Sequence, residues 1–381
     1  MDPNKAIEAT KAVIKKMVEE KQLFLKIILY TVFIVLLVTV IFYWSTQLAK
    51  KGSDCNSMNS LYTNMAAISS IGSQDDAFNN PLCEYYMKSS YNSCCAGQYE
   101  NDWVQLCALT NVIKQGCRVL DFEIYNIDSN PVISVSASTN IYDKGTYNYL
   151  AFDLVMQTVA DLAFSGSSCP NPADPLILFF RIMSNDTAIY DSMADTISDI
   201  LSSRVLGEEY SYEYEGANLG AVSLRNLLGK IIIAATDKKG TFRSTRLDEY
   251  INIAGNEPFL YVYNEHDVIY ASDPSDTLEH NRQKMTICTP NLSALATNYS
   301  PTAVMEYGVQ MPMMCFQTND SYLQFYNGLF ESAGHAFIRK PESMRYVPTV
   351  VETPDPTPVK DQMGTTGYGS SGGSMPWGFN V

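Results

Sequence analysis

The chain opens with one long helical pattern and then alternates short apolar runs with longer periodic runs. Residues 4–22 are polar, carry lysines and predict a helix that leads directly into 23 uncharged residues, Ile27–Ala49. Strands are predicted at Arg118–Tyr125, Pro131–Val135, Leu176–Arg181, Lys230–Ala235, Phe259–Tyr263 and Gln310–Phe316. Helices are predicted at Asp102–Gln115, Tyr149–Phe164, Ala188–Leu201 and Leu323–Phe330. This alternation is typical of β/α units around a largely parallel sheet, and residues 81–351 suit one (β/α)8 barrel.

The uncharged segment 27–49 predicts a single N-terminal transmembrane helix. At about 1.5 Å per residue it is roughly 34 Å long, enough to cross a hydrocarbon core of about 30 Å. Tyr30, Tyr43 and Trp44 lie near its ends, where aromatic rings favour the membrane interface. A cleaved signal peptide is the alternative, but its apolar region is usually only about 7–15 residues long. We therefore predict a retained anchor, preceded by a lysine-bearing polar helix over residues 1–26.

Charge and cysteine placement predict which side of the membrane carries the barrel. Six lysines precede the span and only Lys50 and Lys51 follow it closely. The positive-inside tendency then places the N-terminus in the cytosol and the barrel on the opposite side. All nine cysteines follow the span, which suits disulfide formation in an oxidising compartment, although buried free thiols are the alternative.

Two segments outside the barrel are predicted from composition alone. Residues 50–80 are rich in Ser and Asn and predict a stalk between the membrane and the barrel. Residues 352–381 contain Pro, Gly and Ser and predict a flexible tail. The last six residues, 376–381, include two aromatic side chains and are either a docking peptide or an unstructured end.

Composition narrows the functional classes. The chain of 381 residues is 46% hydrophobic and 18% charged, which fits a folded globular body. Its net charge of -15 argues against a nucleic-acid-binding protein, which would need a basic face. Only three histidines are present, His266, His280 and His335, so chemistry that needs two cooperating histidines is disfavoured.

Several ordered motifs resemble the X and Y regions of the phosphoinositide-specific phospholipase C family. Residues 116–123 resemble the family's GCRxxExD strand, and residues 131–133 follow at the family's spacing. The remaining matches follow in the family's order at residues 163–164, 175–178, 228–233, 308–310, 316–318, 327–331 and 338–341. The resemblance covers an X-like region of about 85–240 and a Y-like region of about 241–346. It implies a phospholipase C-like TIM barrel, although the usual long, charged linker between X and Y is missing.

The resemblance implies a reaction whose proton-transfer groups are changed here. Family members use two histidines, one as a general base and one as a general acid. Tyr91 stands where the first histidine is expected, within Ser-Ser-Tyr-Asn-Ser. Ser134 and Ser136 stand at the two histidines of the family's HGHT stretch. A tyrosine of pKa about 10 is a poor base near neutral pH, and a serine hydroxyl is worse.

The resemblance also implies a calcium site, and this site is changed as well. Family members hold calcium with an Asn, two acids on one strand and a further Glu. Asn92, Asp121 and Glu123 match the first three positions, but Arg181 occupies the fourth. We expect an internal ion-pair cluster of these residues in place of the metal, because a guanidinium repels calcium and can neutralise the carboxylates itself. No other cofactor is expected.

The family's contacts to the lipid headgroup are lost at the aligned positions. Its two lysines align with Ala234 and Thr236, and its Arg and Tyr align loosely with Ile287 and Thr289.

Together these changes predict a membrane-anchored, catalytically inactive barrel that acts as a structural or interaction protein. The alternatives are an active phosphatidylinositol phosphodiesterase with a histidine-independent site, and a module that binds lipid without hydrolysing it. The compact arrangement with one anchor is similar to barrel proteins encoded by large DNA viruses. That similarity implies a further expectation, a place in a virion membrane or minor capsid. The sequence names no protein partner.

Overall fold

A computed structural model describes residues 3–211, 218–237 and 239–346. Its helices are α1 (Pro3–Leu61), α2 (Leu106–Lys114), α3 (Phe152–Leu162), α4 (Thr187–Leu201), α5 (Glu265–Ile269), α6 (Pro274–Gln283), α7 (Pro301–Met305) and α8 (Ser321–Ala333). Its strands are β1 (Tyr85–Met87), β2 (Ser89–Ser90), β3 (Val119–Ile127), β4 (Asn130–Ser134), β5 (Leu150–Ala151), β6 (Leu176–Met183), β7 (Ile231–Asp237), β8 (Ile253–Ala254), β9 (Leu260–Asn264), β10 (Met285–Thr289), β11 (Met311–Met314) and β12 (Phe337–Arg339).

Eight parallel strands form a nearly closed barrel with helices outside it. The hydrogen-bonded order is β8-β7-β6-β3-β2-β11-β10-β9, and among the described residues the path stays open between β8 and β9. β6 and β7 are almost continuously apolar because their inner face packs in the barrel and their outer face is covered by helices. The predicted (β/α)8 barrel is therefore confirmed.

Short elements and one hairpin depart from the predicted pattern. β4 corresponds to the predicted strand at residues 131–135, but it pairs antiparallel with β3 and lies outside the barrel order. β2 and β8 are barrel strands of only two residues each, so no apolar periodicity marks them in the sequence. β1 and β12 form a separate antiparallel pair at the end of the barrel where β2 begins.

The long N-terminal helix is continuous from Pro3 to Leu61, and it is the one described helix long and apolar enough to cross a membrane. The expectation of a stalk over residues 50–80 is wrong. Residues 50–61 belong to α1, and the following segment packs on the barrel through buried Tyr62, Ile68, Ile71 and Phe78. The Ser- and Asn-rich composition concealed these spaced apolar residues. The predicted tail, 352–381, lies outside the described residues.

A disulfide fixes the end of α1 to the barrel. Cys55 on α1 is bonded to Cys107 on α2, and the other seven cysteines are buried free thiols. The predicted disulfide formation and the alternative of buried free thiols are thus each correct for some of the cysteines. Beside the disulfide, burial and the neighbouring carboxylate of Asp102 raise the pKa of Asp54 from 3.8 to about 7. Lys50 lowers this pKa, but by less than burial and Asp102 raise it.

The raised pKa of Asp54 predicts a pH dependence of stability. The folded chain keeps a proton on Asp54 that the unfolded chain releases, so the free energy of unfolding falls as pH rises from about 4 to about 7. Asp54→Asn should remove this part of the slope. Chemical unfolding of both proteins across that pH range measures it, and Asp161→Asn, at an exposed position of α3, is the control. An unchanged slope in Asp54→Asn would contradict the assignment.

Candidate functional site

The site lies at the barrel mouth, where the carboxyl ends of the parallel strands meet. β3 and β6 are adjacent and in register, so Glu123 is directly opposite Arg181 and Asp121 is opposite Phe179. Residues 121 and 123 are two apart on one strand and therefore point to the same side, into the barrel. Asp121 is fully buried, and only 2% of Glu123 is exposed.

Arg181 forms a two-point ion pair with Asp121. Its Nε lies 2.8 Å from Asp121 Oδ1 and its Nη2 lies 2.9 Å from Asp121 Oδ2. The planar guanidinium matches the planar carboxylate, an arrangement that a lysine cannot reproduce. Only 17% of the Arg181 side chain is exposed. Burial opposes the charge on Arg181, but the acids around it more than offset this and raise its pKa well above the ordinary value.

Glu123 is the second carboxylate of the cluster. Its Oε2 lies 3.4 Å from Arg181 Nη1 and its Oε1 accepts a 2.7 Å hydrogen bond from the Tyr125 hydroxyl. Burial raises the pKa of Glu123, and Arg181 and Tyr125 only partly counter this effect. Glu123 therefore holds its charge less readily than an exposed glutamate.

Asn92 joins the cluster from the loop after β2. Its backbone lies in the left-handed region at φ 45°, which directs its N–H to Asp121 Oδ2 at 2.8 Å. Its side-chain oxygen accepts a 2.6 Å hydrogen bond from Arg181 Nη2. The structure thus brings together Asn92, Asp121, Glu123 and Arg181.

Tyr91 covers the cluster instead of acting on it. Its ring centroid lies 4.7 Å from the guanidinium carbon of Arg181, at cation–π distance. Burial, which outweighs the opposing effect of Arg181, raises the pKa of Tyr91 above its usual value. A tyrosinate at this position is thus harder to form than in water.

Ser134 and Ser136 lie beside Glu123, and their hydroxyls are used locally. Ser134 pairs with Glu123 in the β3–β4 ladder, and its Oγ is 2.6 Å from Thr146 Oγ1. The Ser136 N–H donates to Glu123 Oε2 at 3.4 Å, and its Oγ accepts from the Ser138 N–H. Neither hydroxyl can take up or release a proton near neutral pH.

The three histidines make their contacts elsewhere. His266 is exposed and contacts Tyr270, while His280 stacks on another tyrosine, 3.6 Å between ring centroids. Burial lowers the pKa of His280 to about 4. His335 contacts the ring of Phe78 and the carbonyl of Ser69. The fold therefore brings none of them into the Arg181 cluster.

The positions aligned with headgroup contacts offer no cation. Ala234 and Ile287 are buried in strands, and Thr289 is half-buried with its hydroxyl turned to a backbone carbonyl. Thr236 is the register partner of Arg181 and lines a cleft of about 530 Å³ beside the cluster.

The residues present do not fit a calcium ion. Both carboxylate oxygens of Asp121 and the side-chain oxygen of Asn92 already accept hydrogen bonds from Arg181. The guanidinium fills the space between the ligands that a calcium ion would need. Among the described residues, no group of three or more His, Cys, Asp or Glu side chains is arranged to hold a metal.

Two members of the site were not predicted. Tyr125 follows Asp121 and Glu123 at the same two-residue spacing, so strand periodicity alone indicates that it faces the same side. Ser93 accepts a hydrogen bond from the Asp121 N–H through its Oγ, a contact across 28 residues that no local pattern signals.

Removing the guanidinium should strongly destabilise the fold. Arg181→Ala leaves Asp121 and Glu123 buried without a counter-charge, so we expect a loss of about 3–5 kcal/mol in the free energy of unfolding. The matched control is Arg246→Ala, which breaks an exposed ion pair with Asp195 and should cost far less. Urea unfolding of the three proteins measures both values. Equal losses in the two variants would contradict a central role for Arg181.

Comparison with known proteins supports the phospholipase C-like barrel. Residues 78–237 match the family model "Phosphatidylinositol-specific phospholipase C, X domain", and residues 245–343 match the corresponding Y domain. The human and rat 1-phosphatidylinositol 4,5-bisphosphate phosphodiesterase gamma-2 proteins are each 33% identical over 104 residues. That stretch is 27% of this chain and 8% of either relative, so the chain corresponds to only a small part of them.

Solved structures support the fold. The crystal structure of PLC21 from S. officinalis matches with a TM-score of 0.59 and that from L. pealei with 0.57, both at 18% identity. Each match covers 71% of this chain and 38% of the other. Because the X and Y matches together span most of the barrel in their family order, the chain belongs to the phosphatidylinositol-specific phospholipase C family.

Proposed function

We propose that this chain is a membrane-anchored barrel without phospholipase activity, acting as a structural or interaction protein at the membrane. The observation that carries the proposal is the position of Arg181 between Asp121, Glu123 and Asn92. The phosphodiesterase activity in the names of the mammalian relatives belongs to those proteins. Phosphodiester cleavage of the family type needs a base and an acid that change protonation near neutral pH. Tyr91, Ser134 and Ser136 supply neither.

The anchoring part of the proposal rests on α1. Its uncharged segment 27–49 has the length and composition of a membrane span. The lysine bias predicts that the barrel lies on the side opposite the cytosol. The Cys55–Cys107 disulfide is compatible with an oxidising compartment on that side. A virion location stays a prediction from the similarity noted above.

The full chain in mixed micelles that contain phosphatidylinositol should release no inositol phosphate, with or without calcium. An active member of the family is the positive control, and circular dichroism checks that the chain is folded. Turnover that disappears in both Asp121→Asn and Arg181→Ala would overturn the proposal and indicate a histidine-independent phosphodiesterase.

Calcium should not stabilise the wild-type chain, because Arg181 uses the oxygens that the ion would need. Thermal unfolding with calcium and with a chelator should give the same melting temperature. Arg181→Glu places a third carboxylate at the fourth ligand position, and calcium should raise its melting temperature by about 2 °C or more. Arg246→Glu on the surface is the matched control.

The opposite pattern is also informative. Calcium stabilisation of the wild type that Asp121→Ala abolishes would show that the ion displaces Arg181.

A further inference from the structure

Four Asn-x-Ser/Thr sequons lie in the barrel, and the function proposed above uses none of them. Their asparagines are Asn185, Asn291, Asn298 and Asn319. The sequon is the acceptor for N-linked glycans in chains that enter the secretory pathway. The proposed topology places the barrel on the side of the membrane opposite the cytosol, where these glycans are added. The motif alone does not distinguish the four sites, but their side-chain contacts do.

Asn298 has no room for a sugar. Its side-chain nitrogen donates to two carbonyls, that of Cys315 at 3.2 Å and that of Thr318 at 2.9 Å. Its side-chain oxygen accepts a 2.6 Å hydrogen bond from the Cys315 N–H. These three bonds fasten the loop before α7 to the segment after β11. A glycan replaces one amide hydrogen by a carbon atom, so a chain glycosylated here would lose part of this fastening.

The amide of Asn291 is also engaged. Its nitrogen donates to the Glu265 carboxylate at 2.8 Å, and its oxygen accepts from the His266 N–H at 3.0 Å. The two bonds join the loop after β10 to the start of α5. A hydrogen bond to a charged acceptor is stronger than one between neutral groups. A sugar on this nitrogen would therefore compete with a favourable contact.

Asn185 and Asn319 differ from the other two asparagines. Among the described residues, neither side-chain amide has a hydrogen-bond partner. Asn319 is exposed, and Asn185 lines a cleft of about 540 Å³ together with Tyr142 and Lys144. Both nitrogens therefore have space for a sugar and give up no contact to receive one.

The same local structure presents both of these asparagines. Each is followed by an aspartate that caps a helix: Asp186 accepts the Ala188 N–H at 3.1 Å, and Asp320 accepts the Leu323 N–H at 2.9 Å. The cap residue flanks the regular helix, so the asparagine before it belongs to the loop. The Thr or Ser of each sequon is the first residue of α4 or α8. The two helices thus hold the sequons at fixed places on the barrel.

Both loops lie at the mouth of the barrel. Asn185 follows β6 and Asn319 follows β11, at the carboxyl ends of parallel strands. In the barrel order, β3 and β2 lie between these two strands. The two asparagines therefore stand on either side of the loop after β2, which carries Asn92.

We propose that Asn185 and Asn319 carry N-linked glycans and that Asn291 and Asn298 do not. This inference rests on the proposed topology. In the transfer, the side-chain nitrogen forms a bond to the anomeric carbon of the first sugar. The bond from that carbon to a polyprenyl diphosphate carrier breaks, the diphosphate leaves with the electron pair, and the amide gives up one proton. The co-substrate is thus a carrier-linked oligosaccharide.

Two glycans at these positions restrict which partners reach the mouth. Each glycan is bulky and hydrated, and together they flank the entrance to the Arg181 cluster. A protein partner of the barrel then binds a face away from the mouth.

Expression of the full chain in cultured mammalian cells tests the assignment. Treatment of the folded protein with peptide-N-glycosidase should shift its gel mobility by two glycans. Asn185→Gln and Asn319→Gln should each remove one glycan, and the double variant should remove both. Thr187→Ala and Ser321→Ala end the same sequons while keeping the asparagines, and they should give the same losses.

Ser293→Ala and Ser300→Ala are the matched controls. They end the other two sequons and leave the hydrogen bonds of Asn291 and Asn298 in place. Neither change should alter the mobility. Loss of a glycan in either control would overturn the assignment.

An added sequon separates failure of this inference from failure of the proposed topology. Ser165→Asn creates the sequence Asn-Gly-Ser in the turn after α3, where a side chain added at Gly166 would meet nothing within 4 Å. A glycan at this reporter with none on the wild-type chain refutes the inference alone. A chain without a glycan at any site, the reporter included, refutes the proposed topology and this inference with it.

Discussion

Two buried carboxylates at the mouth of the barrel impose the constraint on which the surrounding loops and strand ends depend. Asp121 and Glu123 cannot remain charged in an apolar interior without a partner, and the interior offers Arg181 on the neighbouring strand. The two-point ion pair also orients Asn92, whose oxygen and N–H both bond within the cluster. Tyr91 then closes over the guanidinium. Charge neutralisation by a side chain thus organises the loop after β2 and the ends of β3 and β6.

The same ion pair supports the proposal that the family fold is kept here without the family's chemistry. The barrel needs the inward acids to be neutralised, and a metal ion or an arginine can each meet that need. An arginine meets it without offering a coordination position to a phosphate. Under the proposed function, fold and activity are separable because the stabilising requirement and the catalytic requirement share residues but not partners.

The packing of the last turns of α1 against α2 is the second organising feature. A disulfide, a cation–π contact and an amide hydrogen bond, each between residues 52 positions apart, make the last turns of α1 part of the barrel's outer layer. The candidate membrane span, residues 27–49, is therefore joined to the barrel by one continuous helix. Asp54 lies at this junction, where burial and the neighbouring Asp102 raise its pKa.

The sequence by itself determined the barrel, the candidate membrane span and the members of the Arg181 cluster. Long apolar strands such as β6 and an uncharged run of 23 residues are local signals that burial and bilayer thickness impose directly. Residues 121 and 123 were paired on one face because strand periodicity is local as well. Tertiary structure alone decided that residues 50–80 pack on the barrel, that Cys55 pairs with Cys107, and that Ser93 supports Asp121. These contacts join residues 28 or more positions apart, and their energies depend on distances that only the folded chain sets. For the same reason, the packing of α1 against α2 could not be read from composition, because it joins residues 52 positions apart.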